Sequence, residues 1–218
     1  MIAALDIETI PNMDITDLLP EPSIDSRLKD PAKIAEAEAN AKQKQIDSMA
    51  LDPLTGRVLC FALANDDAQY ERIIEEPTDA AETVLLQDVF STLGNPECRL
   101  ATWNGIGFDL PYIYKRAVVL GIDPANFGAP PLTTWTARYK TDRHYDLMQI
   151  WGGWRDFVKL DTVASLMMGE RKTEGIDVKT FIEQMKTKEG RIEIQDYCMQ
   201  DTKLTWRLFE RMLGTLFV

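Results

Sequence analysis

The prediction of the fold starts from the stretch AALDIET, residues 3–9. A short apolar run leads into two carboxylates, Asp6 and Glu8, which are separated only by Ile7. Side chains two residues apart on a β-strand point to the same face of the sheet. We therefore predict a buried strand over residues 2–8 whose two carboxylates project together.

Two neighbouring carboxylates repel each other unless a positive charge lies between them. A divalent cation such as Mg²⁺ or Mn²⁺ takes oxygen ligands of this kind. The alternative is that the strand has already ended and that Asp6 and Glu8 are solvated. The pair by itself leaves both interpretations open.

The chain has 218 residues, of which 45% are hydrophobic, and this suits a single folded domain over residues 1–218. The segment DPAKIAEAEANAKQKQIDSMA, residues 30–50, is rich in helix-forming residues and has few large apolar positions. We predict an exposed helix there, within a helical insertion at about residues 20–55.

The net charge of −11 argues against a nucleic-acid partner, because Lys and Arg supply most non-specific affinity for phosphates. Enzymes that hold divalent metals are the exception, since bound cations reverse the local sign of an acidic cleft. The charge therefore excludes a non-specific nucleic-acid binder more firmly than it excludes a metal-dependent nuclease.

The sequence predicts a cytoplasmic protein without a membrane segment. No apolar run reaches the ~18 residues that cross a bilayer, and no basic region precedes an apolar stretch at the amino terminus. A strand from Ile2 would leave no room for a targeting segment. The three cysteines lack metal-type spacing, so we expect them to be reduced.

The remaining pattern predicts a mixed α/β protein whose first strands are antiparallel neighbours. We expect strands at residues 2–8, 57–65, 68–76 and 99–104, and helices at 78–93, 108–121, 160–169, 177–186 and 192–214. Residues 122–145 are expected to form a long loop, with His144 within it.

Two further acids stand in notable positions. Asp109, in TWNGIGFDLPYI (residues 102–113), falls in the first turn of a helix, where an acid also serves the helix dipole. Tyr197 and Asp201 are four residues apart on the closing helix and share one face. Each signal alone is equally compatible with an ordinary solvated or capping position.

Taken together, the three motifs resemble a known family. An Asp-x-Glu-Thr strand, an Asn-Gly-x-x-Phe-Asp junction and a Tyr-x-x-x-Asp helix follow one another in this order. The sequence is similar to the DEDD superfamily of 3′–5′ exonucleases, in the DEDDy subgroup with Tyr before the last acid. It most resembles the proofreading exonuclease domains of family-B DNA polymerases and stand-alone phage and bacterial relatives. HYDLMQIWGGW and LDTVASLMMG extend the likeness over most of residues 1–213.

The resemblance implies an α/β, ribonuclease-H-like fold, with a mixed five-stranded sheet flanked by helices. Its fifth strand is expected near residues 145–150. It also implies two-metal hydrolysis of phosphodiesters with Mg²⁺ or Mn²⁺. Asp6 would bridge both ions, Glu8 and Asp201 would bind the ion that holds the attacking water, and Asp109 would hold the second. Tyr197 would orient the water.

The same resemblance suggests substrate contacts. Thr9 is placed to meet the terminal nucleotide, Asn104 to hydrogen-bond it, and Phe108 to pack on its sugar or base, with ordinary core packing as the alternative for Phe108. Gly107 departs from the polymerase pattern, which has Asn-Phe-Asp at this junction. A basic rim is expected from the loop at 136–145 and from lysines of the 30–50 helix.

The leading hypothesis is a metal-dependent exonuclease that acts on DNA 3′ ends and prefers single strands. An exoribonuclease is the alternative enzyme, because no residue that reads the 2′-hydroxyl stands out. A non-catalytic module that binds 3′ ends, or a polymerase or other replication or repair protein as partner in trans, also remains open.

Overall fold

The fold is built on one mixed five-stranded sheet. A computed structural model describes residues 2–138, 140–153, 156–171 and 180–217. Its strands are β1 Ile2–Pro11, β2 Gly56–Ala64, β3 Gln69–Ile73, β4 Arg99–Thr102 and β5 His144–Asp146. They lie in the order β3-β2-β1-β4-β5, so the strand that carries Asp6 and Glu8 is the central one.

The strand directions follow the predicted order. β2 pairs antiparallel with both β1 and β3. A short turn joins β2 to β3, whereas residues 12–55, which include α1, join β1 to β2. β1 pairs parallel with β4, and β4 pairs parallel with β5, after crossover connections that contain helices. The predicted fold class, an α/β ribonuclease-H-like sheet flanked by helices, is confirmed.

The described part of the chain forms these α-helices: α1 Pro31–Met49, α2 Asp79–Leu93, α3 Asp109–Leu120, α4 Leu132–Trp135, α5 Leu147–Gly152, α6 Leu160–Met168, α7 Phe181–Gln184 and α8 Lys188–Met212. Short 3₁₀ helices occupy Met13–Leu18 and Pro124–Phe127. Within the described ranges, no helix combines the length and the apolar character that a bilayer span requires.

The helices cover both faces of the sheet. Every residue of β2 is buried, which for a pleated strand requires packing against each of its two faces. α2 and α3 contribute apolar side chains to one core cluster with β1 and β2, and α8 contributes Ile194 and Cys198 to it. A second cluster joins α5, α6 and the end of α8.

Two predictions about the edge of the sheet formed by β5 differ from the structure. The fifth strand is shorter and earlier than expected, since it ends at Asp146 and residues 147–152 are helical. The placement of His144 in a loop is wrong, because His144 begins β5 and is 2% exposed. Residues 177–179 of the predicted 177–186 helix lie outside the described residues.

A buried ion network joins β2, α2 and α3. The Glu82 carboxylate, fully buried, accepts hydrogen bonds from Arg116 Nε at 2.8 Å and Nη2 at 2.6 Å and from the Val58 N–H at 2.8 Å. Arg57, also buried, places its Nε 3.5 Å from Glu82 Oε2. Arg57 Nη2 also lies 2.6 Å from Asp79 Oδ1, so Glu82 compensates Arg116 and shares the compensation of Arg57 with Asp79.

We predict that Glu82→Gln lowers the free energy of unfolding by about 3–5 kcal/mol, because it leaves buried guanidinium charge without its carboxylate. Urea unfolding followed by circular dichroism measures the change. Glu38→Gln, at an exposed position of α1, is the matched control and should change stability by less than about 0.5 kcal/mol. Equal midpoints for the two variants would contradict the prediction.

Candidate metal centre

The central strand presents Asp6 and Glu8 on one face. Both residues are partly buried, and they alternate with Leu5, Ile7 and Thr9, which are buried. This alternation is the one that the AALDIET pattern predicts. The strand continues to Pro11, so the acids do not stand at a solvated strand end.

A β-bulge follows directly after the pair. Glu8 lies opposite Cys60 of β2, whereas Thr9 lies opposite Val58, so Leu59 has no partner in the ladder. Bulges bend a strand and strengthen its local twist, and they are frequent beside functional sites. The extra residue belongs to β2, so the bulge bends β2 and strengthens the twist of the strand pair where β1 passes from Glu8 to Thr9.

The donor set fits a hard divalent cation. Ligand atoms of Asp6, Glu8 and Cys198 lie within 4.8 Å of one another. The Cys198 thiol is buried on α8 and donates to the Asp6 carbonyl oxygen at 3.7 Å. Burial, followed by the neighbouring Cys60 and the Asp6 and Glu8 carboxylates, raises the pKa of Cys198 well above its ordinary value. The oxygens of Asp6 and Glu8 are the ligands that Mg²⁺ or Mn²⁺ prefers.

α8 brings the last acid towards this pair. Cys198 Sγ lies 4.0 Å from Asp6 Oδ2, which places α8 directly against β1. Asp201 follows three residues later and is 3% exposed. Tyr197 lies one turn before Asp201 and is partly buried, and its ring centre is 6.1 Å from that of Phe181.

Asp109 begins α3 and is also 3% exposed. Phe108, its immediate neighbour, lines the same cleft as Glu8 and Thr9, a cavity of about 490 Å³. The structure thus groups Asp6 with Glu8 directly. It sets Asp109 and Asp201 on elements whose adjacent residues contact the pair or its cleft. That all four acids share two ions remains a prediction.

The turn before Asp109 is held in an uncommon backbone conformation. Asn104 is the one non-glycine residue of the described ranges with a positive φ, at 70°. Its N–H donates to Asp146 Oδ1 at 3.3 Å, and the Ile106 N–H donates to Asp146 Oδ2 at 2.9 Å. Asp146 therefore fixes the turn that leads into Phe108 and Asp109.

Gly107, the departure from the polymerase pattern, has a structural counterpart. A Cβ at this position would lie 2.3 Å from the side-chain oxygen of Asn104. The Asn104 amide therefore occupies the space that a side chain at 107 would need. Thr9, the other predicted polar contact, donates its hydroxyl hydrogen to the Ala50 carbonyl oxygen at 2.7 Å.

A buried imidazole supports the same turn. His144 Nδ1 donates to the Trp135 carbonyl oxygen at 2.8 Å, so Nε2, 2.7 Å from Thr102 Oγ1, accepts from that hydroxyl. Thr102 Oγ1 in turn accepts the Gly105 N–H at 3.0 Å. Sequence reasoning assigned no such role to Asp146, His144 or Thr102. The signal available was HYDL, residues 144–147, which contributed to the family resemblance and to the expected fifth strand.

We predict that His144 titrates below its ordinary range. Burial lowers the pKa of His144, and this outweighs the Trp135 carbonyl and Asp146, both of which favour the charged form. Below the unfolded pKa of 6.5 the unfolded chain binds a proton that the folded chain does not. Stability is therefore complete above that pH and falls as the pH is lowered through it, by up to about 1.4 kcal/mol per pH unit.

NMR titration of the imidazole tests this directly, because the chain contains one histidine. The midpoint in the folded protein should lie below that of the urea-unfolded chain. A folded midpoint equal to or above the unfolded one would contradict the prediction. Thermal unfolding at several pH values should show the matching loss of stability.

The five-stranded order with an Asp-x-Glu pair on its central strand places the protein in the ribonuclease-H-like class. The particular family follows from a family model, described as "Predicted 3'-5' exonuclease related to the exonuclease domain of PolB", which matches residues 55–215. The chain belongs to this family. The matched range includes Asp109, Tyr197 and Asp201 and begins after β1, which carries Asp6 and Glu8.

The chain is also similar to two DNA polymerases. The chain is 25% identical over 203 residues to DNA polymerase 1 of Saccharolobus solfataricus, a match that covers 77% of this chain and 22% of the polymerase. It also has the fold of part of the family B DNA polymerase of the archaeon Pyrobaculum calidifontis. That match has a TM-score of 0.62 and 20% identity and covers 97% of this chain and 24% of that one. The chain thus spans less than a quarter of either polymerase.

Proposed function

We propose that the protein is a metal-dependent exonuclease that removes nucleotides from DNA 3′ ends and prefers single strands. The observation that carries the proposal is the pair Asp6 and Glu8, side by side on the central strand and in contact with α8. Membership in a family described as 3′–5′ exonucleases supports it. The DNA preference is drawn from the likeness to DNA polymerases.

Asp6, Glu8, Asp109 and Asp201 would hold two divalent ions, Mg²⁺ or Mn²⁺. When bound, such ions supply a reactive water at neutral pH and stabilise the attacking and leaving oxygens of an in-line displacement. The resemblance to polymerase exonuclease domains assigns Asp6 to both ions, and Asp6 lies on the central strand against Cys198 of α8. Glu8 and Asp201 are assigned to the side of the attacking water, and Asp109 to the opposite side.

Tyr197 would donate a hydrogen bond from its phenol to the attacking water and so orient it. Residues four apart on a helix lie one above the other, so Tyr197 and Asp201 can serve the same water. The phenyl rings of Phe181 and Tyr197 meet edge to face, with centroids 6.1 Å apart, which restricts the orientation of the tyrosine.

Thr9, Asn104 and Phe108 would contact the terminal nucleotide. Thr9 and Phe108 line the cleft that begins at Glu8, and the Asn104 amide lies over Gly107 at the start of α3. The Thr9 hydroxyl already donates to Ala50, so it would serve the substrate as an acceptor. A net charge of −11 predicts weak and salt-sensitive binding of the rest of the strand.

End-labelled oligonucleotides test the proposed function. A 5′-labelled DNA strand incubated with Mg²⁺ or Mn²⁺ should give a ladder that shortens from the 3′ end, and EDTA should prevent it. The same strand made of RNA should shorten more slowly. Faster shortening of RNA would favour an exoribonuclease, and no shortening of either strand would favour a 3′-end-binding module.

We predict that Tyr197→Phe lowers kcat by about 10–100-fold without abolishing turnover, because it removes one hydrogen bond to the attacking water and leaves the metal ligands intact. Single-turnover rates on the 5′-labelled strand measure the loss. Phe181→Leu is a useful companion, since it loosens the tyrosine but keeps its hydroxyl. An unchanged rate in Tyr197→Phe would make Tyr197 a packing residue.

A further inference from the structure

The helix α1 contributes little to the core. Among its 19 residues only Met49 is buried, and most of the others are exposed or partly exposed. Helices in globular proteins are held mainly by the packing of an apolar face. Packing of an apolar face against the core therefore does not explain where α1 lies.

Its carboxyl-terminal end is nevertheless held firmly against the site. The Thr9 hydroxyl donates to the Ala50 carbonyl oxygen at 2.7 Å, and the Asn12 N–H donates to the Thr55 carbonyl oxygen at 2.9 Å. A Cβ at Gly56 would lie 2.1 Å from the Tyr112 hydroxyl and 2.6 Å from the Met49 carbonyl oxygen. The end of α1 is thus packed without spare space beside the strand that carries Asp6 and Glu8.

The last turns of α1 form one wall of the cleft of about 490 Å³ that begins at Glu8. The end of β1 and Phe108 also line this cleft. The surface of the cleft is mainly apolar, and Ile46, Ala50 and Leu51 are its apolar members from α1 and the turn after it. This volume lies within the range of about 300–1,000 Å³ typical of small-molecule sites.

Two charged residues of α1, Asp47 and Lys44, line the cleft. Asp47 accepts a hydrogen bond from the Gln43 side-chain amide at 2.8 Å. Lys44 is exposed on the same lining and supplies a positive charge at the cleft. An apolar wall with a cation at its edge fits a nucleobase with its backbone phosphate nearby.

We infer that the end of α1 and the turn after it, residues 43–51, form a substrate-binding element that holds the terminal nucleoside of the strand. Ile46 and Leu51, which line the same cleft as Phe108, contact the base, and Lys44 lies near the backbone. The inference rests on the proposed function: a phosphate that is cleaved at Asp6 and Glu8 places its terminal nucleoside in the space that adjoins them.

Leu51 and Leu54 offer a matched pair for the test. Their exposed fractions are 68% and 67%, and only Leu51 lines the cleft. Neither substitution by Ala removes a core side chain, so both variants should fold. Lys44→Ala and Lys115→Ala form a second pair, since both lysines are exposed on a helix and only Lys44 lines the cleft.

The experiment measures KM and kcat on two single-stranded DNA oligonucleotides, one with a normal 3′-terminal nucleotide and one with an abasic 3′ terminus. Wild-type protein and Leu54→Ala should favour the normal terminus in KM. Leu51→Ala should raise KM for the normal terminus by about fivefold or more and leave the abasic one unchanged. Lys44→Ala should raise KM for both strands, and Lys115→Ala for neither.

Anisotropy of the labelled strands, measured on the Asp6→Asn background, gives the same comparison without turnover. Equal KM and equal binding for Leu51→Ala and Leu54→Ala, in a protein that shortens the strand, would overturn the role of α1 alone. Absence of shortening by the wild-type protein would instead overturn the proposed function, and this role with it.

Discussion

Replacing Asp6 with Asn is expected to reduce exonuclease turnover by at least about a thousandfold. Asp6 is the carboxylate assigned to both ions, and metal ions contribute several kcal/mol of charge stabilisation in the transition state. A loss of about 4 kcal/mol corresponds to a thousandfold in rate. Single-turnover rates with saturating Mg²⁺ on a 5′-labelled single strand provide the measurement.

The control for this change is Asp67→Asn, in the exposed turn between β2 and β3. It removes the same charge from the same sheet and should retain the wild-type rate. Both variants should show native circular dichroism, because the partly buried Asp6 loses a charge and keeps its shape. If the turnover rate of Asp6→Asn lay within tenfold of that of Asp67→Asn, Asp6 would not be a metal ligand that the reaction requires.

Asp201→Asn is expected to lower the rate by about 100-fold or more, since it removes one ligand on the side of the attacking water. Asp201 is 3% exposed, in the turn of α8 that follows Cys198, the residue that contacts Asp6. A higher Mn²⁺ concentration should restore part of the loss if the residue acts as a ligand. Rates measured over a Mn²⁺ series therefore separate a ligand from a structural acid.

Asp196→Asn is the matched control on the same helix, because Asp196 is exposed and lies one residue before Tyr197. It should leave both the rate and its metal dependence unchanged. If Asp201→Asn were indistinguishable from Asp196→Asn, Asp201 would be a buried acid without a part in the reaction.

The central part of the fold was predictable because it is encoded locally. AALDIET places its two carboxylates by the period of a strand, and nothing distant is needed for that geometry. The β2–β3 hairpin and the helix at residues 30–50 likewise follow from short-range patterns and turn residues. The outcome for these elements agrees with the structure, to within a few residues at their ends.

The far edge of the sheet was not predictable from local pattern. HYDLMQI is a short apolar run, and periodicity alone does not separate a strand from a helix in such a run. β5 is a strand because His144 pairs with Leu100 of β4 and its imidazole contacts Thr102 and Trp135. These contacts join residues that are distant in sequence.

The relation of α1 to the site was also beyond the sequence. Its composition predicts an exposed helix, and α1 is largely exposed. Its place beside Glu8 depends on the Thr9 to Ala50 hydrogen bond and on the tight contacts around Gly56. The bulge opposite Glu8 and Thr9 likewise arises from the pairing between β1 and β2, and no residue pattern within β1 predicts it.

Direct measurement of Mn²⁺ binding, without nucleic acid, tests the central claim that Asp6 and Glu8 hold divalent metal. Electron paramagnetic resonance of free Mn²⁺ should show binding by the wild-type protein, competition by Mg²⁺, and retention of binding in Asp67→Asn. Asp6→Asn and Glu8→Gln should each weaken binding by tenfold or more, about the loss expected when one ligand is removed. Wild-type affinity for Mn²⁺ in both Asp6→Asn and Glu8→Gln would contradict the account.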